Sequence, residues 1–128
     1  MALSDQGRRS VVAVVDDDRR VLESIEILLE SADYEVRQFS SAIALLESGC
    51  LHSIDCLISD VGMPVMDGFE LARAVQAADP RLPVILVTGR PDLLNRSPPD
   101  LPSHHRWFEK PFNGHELLRA VNDALRNR

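Results

Sequence analysis

Four apolar runs in this chain each end on residues able to handle a phosphate or a divalent cation: Val11 to Val15 on Asp16, Asp17 and Asp18, and three later runs on Asp60, Thr88 and Lys110. If each run is a strand of one parallel sheet, these groups all emerge at the carboxyl edge, where open α/β sheets build their sites. Carboxylates gathered in this way repel one another. Near neutral pH they are tolerable when a divalent cation sits among them and a lysine balances part of the remaining charge. Such a set suits acceptance of a phosphoryl group by a carboxylate, which needs in-line access, a cation on the transferring oxygens and donors that take up charge. Asp60, ending the most central predicted strand, is the candidate nucleophile. Asp17, with Asp16 beside it, can hold Mg²⁺ directly or through water, and the backbone carbonyl of Gly62 is a further candidate ligand. Thr88 can donate its hydroxyl to the new phosphate, and Lys110 supplies a fixed positive charge opposite Asp60.

Bringing these groups to one edge requires strands that alternate with helices, and the chain carries that alternation. Strands are predicted over 11–15, 34–38, 54–59, 83–87 and 106–108. The runs Val-Val-Ala-Val-Val and Val-Ile-Leu-Val are continuous, as expected of strands covered on both faces. Val21, Leu22, Ile25, Leu28 and Leu29 form one apolar face of a helix over 19–31, with Asp18 as its cap. A second helix over 41–48 buries Ala42, Leu45 and Leu46 and stops at Gly49. Asp67 with Glu70 is a capping-box start for a third helix, which turns Leu71, Ala72 and Val75 inward and ends before Pro80. Asn113 with Glu116 repeats the device for the last helix, whose stripe is Leu117, Leu118, Val121 and Leu125. The fourth helix is predicted short or broken: Pro98, Pro99 and Pro102 confine it to a turn or two near 91–96.

Composition narrows the function classes. The chain has 128 residues, enough for one domain with a real core but not for a second catalytic module. With 45% hydrophobic and 27% charged residues it reads as an ordinary globular chain. A net charge of -6 and no visible basic patch argue against direct nucleic-acid binding. No apolar run approaches the length of a membrane span, and the segment after Arg8 and Arg9 is too short for a signal-peptide core, so a cytoplasmic location is expected. Cys50 and Cys56 match no metal-ligand or redox spacing and read as buried small hydrophobes. Residues 1–10 read as a flexible tail and 11–128 as the domain.

The pair at Asp16 and Asp17, the run D-x-x-M-P-x-M-D-G at 60–68, Thr88-Gly89, and Lys110-Pro111-Phe112 together resemble the receiver domain of two-component response regulators. The likeness covers residues 11–127 and leans towards receivers of the nitrogen-fixation regulator type. It implies a flavodoxin-like three-layer sandwich with a five-stranded parallel sheet of order 2-1-3-4-5. It also implies Mg²⁺, with Mn²⁺ able to substitute, held by Asp16, Asp17, Asp60 and the Gly62 carbonyl. Asp60 would take a phosphoryl group from a histidine kinase or phosphotransfer protein, with Thr88 and Lys110 contacting it and a cis Lys110-Pro111 peptide. Thr88 and Trp107 would be the switch pair. Self-phosphorylation and self-dephosphorylation, with no turnover of an external substrate, follow from the same likeness.

Three departures from the family pattern bear on signalling. Ser103, His104, His105 and Arg106 occupy the place of a small pair before the fifth strand, prolines break the fourth helix, and Trp107 replaces a Tyr or Phe. An indole is bulkier than a phenol, so the readout is expected to differ more than the phosphorylation chemistry. The proline-rich stretch also argues against a dimer through this face; oligomeric state stays open, with a monomer allowed. A last helix reaching almost to Arg128 leaves no DNA-binding element in these residues, so any output domain or partner protein lies elsewhere.

Simpler roles are expected for several residues. His52, His104, His105 and His115 read as surface side chains, Arg90 as solvated, and Met63 and Met66 as loop packing. Two other functions compete. Asp16-x-Asp18 after a strand mimics the nucleophile motif of haloacid-dehalogenase-like phosphohydrolases, but Arg20 stands where that family has Thr or Val. An unphosphorylated interaction module of the same fold is the other.

Overall fold

The computed structural model describes residues 9–90, 92–93 and 106–127. Its five strands are β1 (Val11–Val15), β2 (Glu35–Phe39), β3 (Cys56–Asp60), β4 (Val84–Thr88) and β5 (Arg106–Glu109). All pair in parallel, in the order β2-β1-β3-β4-β5. Among the described residues four α-helices connect and cover them: α1 (Arg19–Ser31), α2 (Ala42–Ser48), α3 (Gly68–Ala78) and α4 (Gly114–Arg126). Every residue of β1, β3 and β4 is buried, which accounts for their unbroken apolar runs, whereas edge strand β2 is half-buried and carries Glu35, Arg37 and Gln38.

The pleat sorts side chains into two cores, because successive residues of a strand point to opposite faces. Val11, Ala13, Val15, Leu57 and Leu86 pack with Ala42 and Leu45 of α2 and with Phe69, Leu71, Ala72 and Val75 of α3. Val12, Val14, Ile58, Ile85 and Val87 pack with Leu22, Ile25 and Leu29 of α1 and with Leu117, Ala120 and Val121 of α4. Tyr34 closes the second core, its hydroxyl donating to the side-chain oxygen of Asn122. Burial, followed by the nearby Cys56, pushes the Tyr34 hydroxyl's pKa up.

Helix ends follow the capping chemistry of the sequence. The Asp18 carboxylate accepts from the Arg20 N–H at 2.9 Å and the Ser41 hydroxyl from the Ala44 N–H at 3.0 Å. Asp67 and Glu70 complete a reciprocal capping box at 2.8 and 3.0 Å, and Asn113 accepts from the Glu116 N–H at 3.2 Å. Gly49 ends α2 with a φ of 74°, a left-handed geometry that favours glycine.

The boundaries differ from the sequence expectation in a consistent direction. β2 runs one residue later than predicted, leaving the buried Tyr34 just before it. β3 starts at Cys56 because a 3₁₀ turn spans Leu51–Ser53 and the buried Asp55 carboxylate turns aside to accept the Val11 N–H at 2.8 Å. β3 and β4 each reach one residue further than predicted, so Asp60 and Thr88 are the last residues of their strands. Cys56 is buried as expected, but Cys50 is only half-buried, since it sits in the turn after α2 where Ser48 donates to its sulfur.

Of the expected tail, Ser10 accepts the Glu35 N–H at 3.0 Å and Arg9 lies 3.8 Å from Asp33; residues 1–8 lie outside the described residues. The expected helix at 91–96 also lies outside them, except Asp92 and Leu93, which form a 3₁₀ turn. So do the prolines at 98, 99 and 102 and the histidines at 104 and 105. Among the described residues no helix is long and apolar enough to cross a membrane.

Candidate functional site

The pleat also decides which functional side chains can meet. Asp16 follows Val15, Asp60 follows Ser59, and Lys110 lies two residues past Phe108, so all three continue the α1/α4 face. The Lys110 ammonium contacts Asp16 Oδ2 at 2.8 Å and Asp60 Oδ1 at 3.1 Å. Asp17, exposed at the rim, completes a group of three carboxylates whose oxygens lie within 4.8 Å of one another. Asp16 is only 1% exposed and Asp60 6%. The second oxygen of Asp16 accepts the Asp18 N–H at 2.8 Å, so this carboxylate is engaged on both sides.

One ammonium does not neutralise three carboxylates. Burial, then the charge of Asp16, pushes the Asp60 carboxyl up from the ordinary aspartate value, and Lys110 only partly opposes this. Burial by itself would lower the Lys110 ammonium, but its hydrogen bond to Asp16 and the charges of Asp16 and Asp60 outweigh that and leave it raised. The donor set is oxygen throughout, and it is short of positive charge. It fits a hard divalent cation such as Mg²⁺, which takes one or two carboxylates and keeps several waters.

Thr88 is 1% exposed, and by the pleat it belongs to the opposite, α2/α3 face. Its hydroxyl accepts the Arg90 N–H at 2.9 Å and donates to the Arg90 carbonyl at 3.1 Å, a local turn rather than a contact with the acids. Trp107 is paired in register with Leu86 and shares that face. It is 36% exposed and packs against Phe69 with ring centroids 5.6 Å apart, tilted by 57°. Arg90 is exposed and lies 3.4 Å from Asp92. Met63 is buried and Met66 half-buried in loop packing, while His52 and His115 are exposed. The Lys110-Pro111 peptide is cis.

Three contributions escaped the sequence reading. A Cβ on Gly68 would stand 2.4 Å from the Asp60 carbonyl oxygen and 2.8 Å from Val61 Cα, so the first residue of α3 rests directly on the backbone of the candidate nucleophile. Phe69, next along α3, is the aromatic neighbour of Trp107. Ser59, wholly buried, donates its hydroxyl to the Asp60 carbonyl at 3.0 Å. The signal for Gly68 was present as a glycine placed directly after a capping aspartate, where an Asp-Gly pair reads equally well as a simple turn. Gly62 itself borders an open cavity of about 410 Å³ with Met63, Phe69, Arg73, Arg90 and Leu93.

Comparison with known proteins decides the family. The model of the response regulator receiver domain matches residues 12–122. This chain belongs to the response regulator receiver family. The receiver is 35% identical over 124 residues to the response regulator protein TmoT of Ectopseudomonas mendocina, covering 97% of this chain and 56% of that protein. It is 35% identical over 114 residues to the transcriptional regulatory protein FixJ of Azorhizobium caulinodans, covering 89% of this chain and 54% of that one. The receiver thus spans about half the length of the curated relatives it matches. Among solved structures, the signal receiver domain of an HD domain-containing protein from Pseudomonas fluorescens Pf-5 superposes with a TM-score of 0.84 at 31% identity, covering 94% of this chain and 97% of that chain. The flavodoxin-like strand order expected from the motif set is the one observed.

Proposed function

We propose that Asp60 is the phosphoacceptor of this receiver and that Asp16, Asp17 and the Gly62 carbonyl, together with Asp60, hold Mg²⁺, which Mn²⁺ can replace. The observation that carries this is the Lys110 ammonium bridging Asp16 at 2.8 Å and Asp60 at 3.1 Å inside a cluster of three carboxylates. Asp60 has one oxygen on Lys110 and is reachable from the sheet edge, whereas Asp16 is fully enclosed with both oxygens engaged. That difference favours Asp60 over Asp16 as nucleophile and disfavours the phosphohydrolase alternative.

In the transfer, an Asp60 carboxylate oxygen forms a bond to phosphorus as the bond to the donor's leaving atom breaks, giving an acyl phosphate. When bound, the divalent cation supplies charge neutralisation at the transferring oxygens. Lys110, held in place by Asp16, exchanges its contact with Asp60 for an oxygen of the arriving group. The Thr88 hydroxyl must leave the Arg90 carbonyl to donate to the phosphoryl group, which couples occupancy of Asp60 to the β4 end and to the loop at Arg90. The donor is a histidine kinase or phosphotransfer protein, and the product is a shifted conformational population rather than a released metabolite. The domain takes in the sheet from β1 to β5 and the helix after it, and it acts in the cytoplasm on a protein partner or output domain. The relative FixJ is named a transcriptional regulatory protein, which supports an output of that kind.

Intact-mass measurement after acetyl phosphate and Mg²⁺ treatment tests the assignment. Wild type should gain one phosphoryl group and Asp60→Asn none; labelling that survives in Asp60→Asn but is lost in Asp16→Asn would overturn it.

A further inference from the structure

Rotation about the Asp60 Cα–C bond turns the Asp60 carbonyl and the planar peptide that follows it, and so sets where Val61 and the Gly62 carbonyl lie relative to the Asp60 carboxylate. That peptide and the next one are held by three hydrogen bonds, two on the Asp60–Val61 peptide and one on the Val61 carbonyl. The Val61 N–H donates to the Val87 carbonyl at 2.9 Å, and the Gly68 N–H donates to the Val61 carbonyl at 2.8 Å. From the α2/α3 side the Ser59 hydroxyl donates to the Asp60 carbonyl oxygen at 3.0 Å.

Ser59 is an unusual choice for that position. It is 0% exposed, the penultimate residue of β3, flanked by its register partners Val15 and Leu86, where an alanine or valine would satisfy the apolar surroundings. A buried hydroxyl is unfavourable unless hydrogen-bonded. Its bond goes to the carbonyl of the residue that bears the chemistry, the same oxygen that Gly68 packs against with no room for a methyl group.

We infer that Ser59 is a positioning residue for the phosphoryl-acceptor site: its hydroxyl fixes the direction of the Asp60 carbonyl, and through it the path of Val61 and Gly62. The inference rests on the proposal that Asp60 is phosphorylated and adds to it a residue on the opposite face of the sheet. The hydroxyl touches neither phosphoryl group nor cation, so its effect passes through geometry. Removing it lets the Asp60–Val61 peptide rotate, displacing the Gly62 carbonyl relative to the Asp60 carboxylate, and small misplacements of this kind slow an in-line transfer strongly.

Four proteins test this: wild type, Ser59→Ala, Ser59→Cys, which keeps the volume with a weak donor, and Ser59→Thr, which keeps the hydroxyl. Two quantities are measured, the rate of labelling by acetyl phosphate with Mg²⁺ and the amide NMR shifts of Val61 and Gly62 in metal-free protein, with the thermal midpoint of each protein as a check on folding. The expected result is labelling about fivefold or more slower in Ser59→Ala and Ser59→Cys, with shifted Val61 and Gly62 amides, and near-wild-type values in Ser59→Thr. Ser59→Ala matching wild type in both measurements overturns the role. So does Ser59→Thr, with a thermal midpoint matching wild type, labelling as slowly as Ser59→Ala, since the hydroxyl would then not be the cause. Absence of labelling in wild type would instead overturn the phosphoacceptor assignment, with the amide shifts still reporting on Ser59.

Discussion

Replacing Gly68 with alanine should damage this receiver more than the same change at Gly114, the other glycine in its described helices. The new Cβ would lie 2.4 Å from the Asp60 carbonyl oxygen and 2.8 Å from Val61 Cα, both backbone atoms of a buried strand end that cannot swing aside. Restoring ordinary van der Waals separation requires the start of α3 to retreat by about 1 Å. Forced overpacking of this kind costs about 1–3 kcal/mol. The retreat also stretches the 2.8 Å bond from the Gly68 N–H to the Val61 carbonyl, worth about 1 kcal/mol. Against this, alanine's better helix propensity returns at most about 1 kcal/mol. The balance is a loss of about 1–3 kcal/mol, which for a domain of this size lowers the thermal midpoint by about 4–12 °C. Circular-dichroism melts of wild type and Gly68→Ala measure it directly, and acetyl phosphate labelling of the folded fraction should slow in parallel. A midpoint within about 2 °C of wild type would refute the argument that α3 is seated against the Asp60 backbone without clearance.

Further outcomes follow from other parts of the structure. Asp60→Asn should raise stability near neutral pH, because it removes a buried charge facing Asp16. The raised Asp60 pKa means that the folded state holds more protons than the unfolded state just above the ordinary aspartate value, so this group's contribution falls as pH rises through that window. The stability difference between Asp60→Asn and wild type should therefore widen from about pH 4 towards neutrality in urea titrations without divalent cation; a difference that narrows would contradict the cause given for the shift. Val65 is 94% exposed and holds a φ of 70°, strained for a β-branched residue, so Val65→Asn should gain about 1 kcal/mol in urea unfolding without altering labelling. An unchanged unfolding midpoint would argue that no strain resides there. Phe69→Ala should shift the emission of Trp107, the sole tryptophan, by removing its ring partner, while the labelled residue remains the same. Identical emission spectra would show that the pair is not in contact.

Much of this was legible because strands buried on both faces advertise themselves as unbroken apolar runs, and because each run stops where a polar residue emerges. The start of α1 could be read from Asp18, the end of α2 from Gly49 and the start of α3 from Asp67 and Glu70, whose side chains or backbone freedom have few other uses in such positions, whereas Ser41 proved to cap α2 from outside it. The meeting of Asp16, Asp60 and Lys110 followed from placing three strand ends at one edge. What escaped was governed by backbone proximity rather than residue type. Gly68 is visible as a glycine, but nothing local says that another strand's carbonyl lies against it. Ser59 in an apolar strand looks like a tolerated substitution until its hydroxyl is seen to meet the following carbonyl. Strand ends were read one residue short at Asp60 and Thr88 because polarity marked the end of burial, whereas the ladder continues for as long as a backbone partner exists.

The alternation along the strands has one more consequence. The acid and lysine cluster belongs to the side of the sheet roofed by α1 and α4, and Trp107 with Phe69 to the side roofed by α3. The buried sheet between them is a partition, and the two sides come together at its rim, where β3 and β4 end on Asp60 and Thr88. The two helix layers therefore present separate outer surfaces of one scaffold, joined through these strand ends.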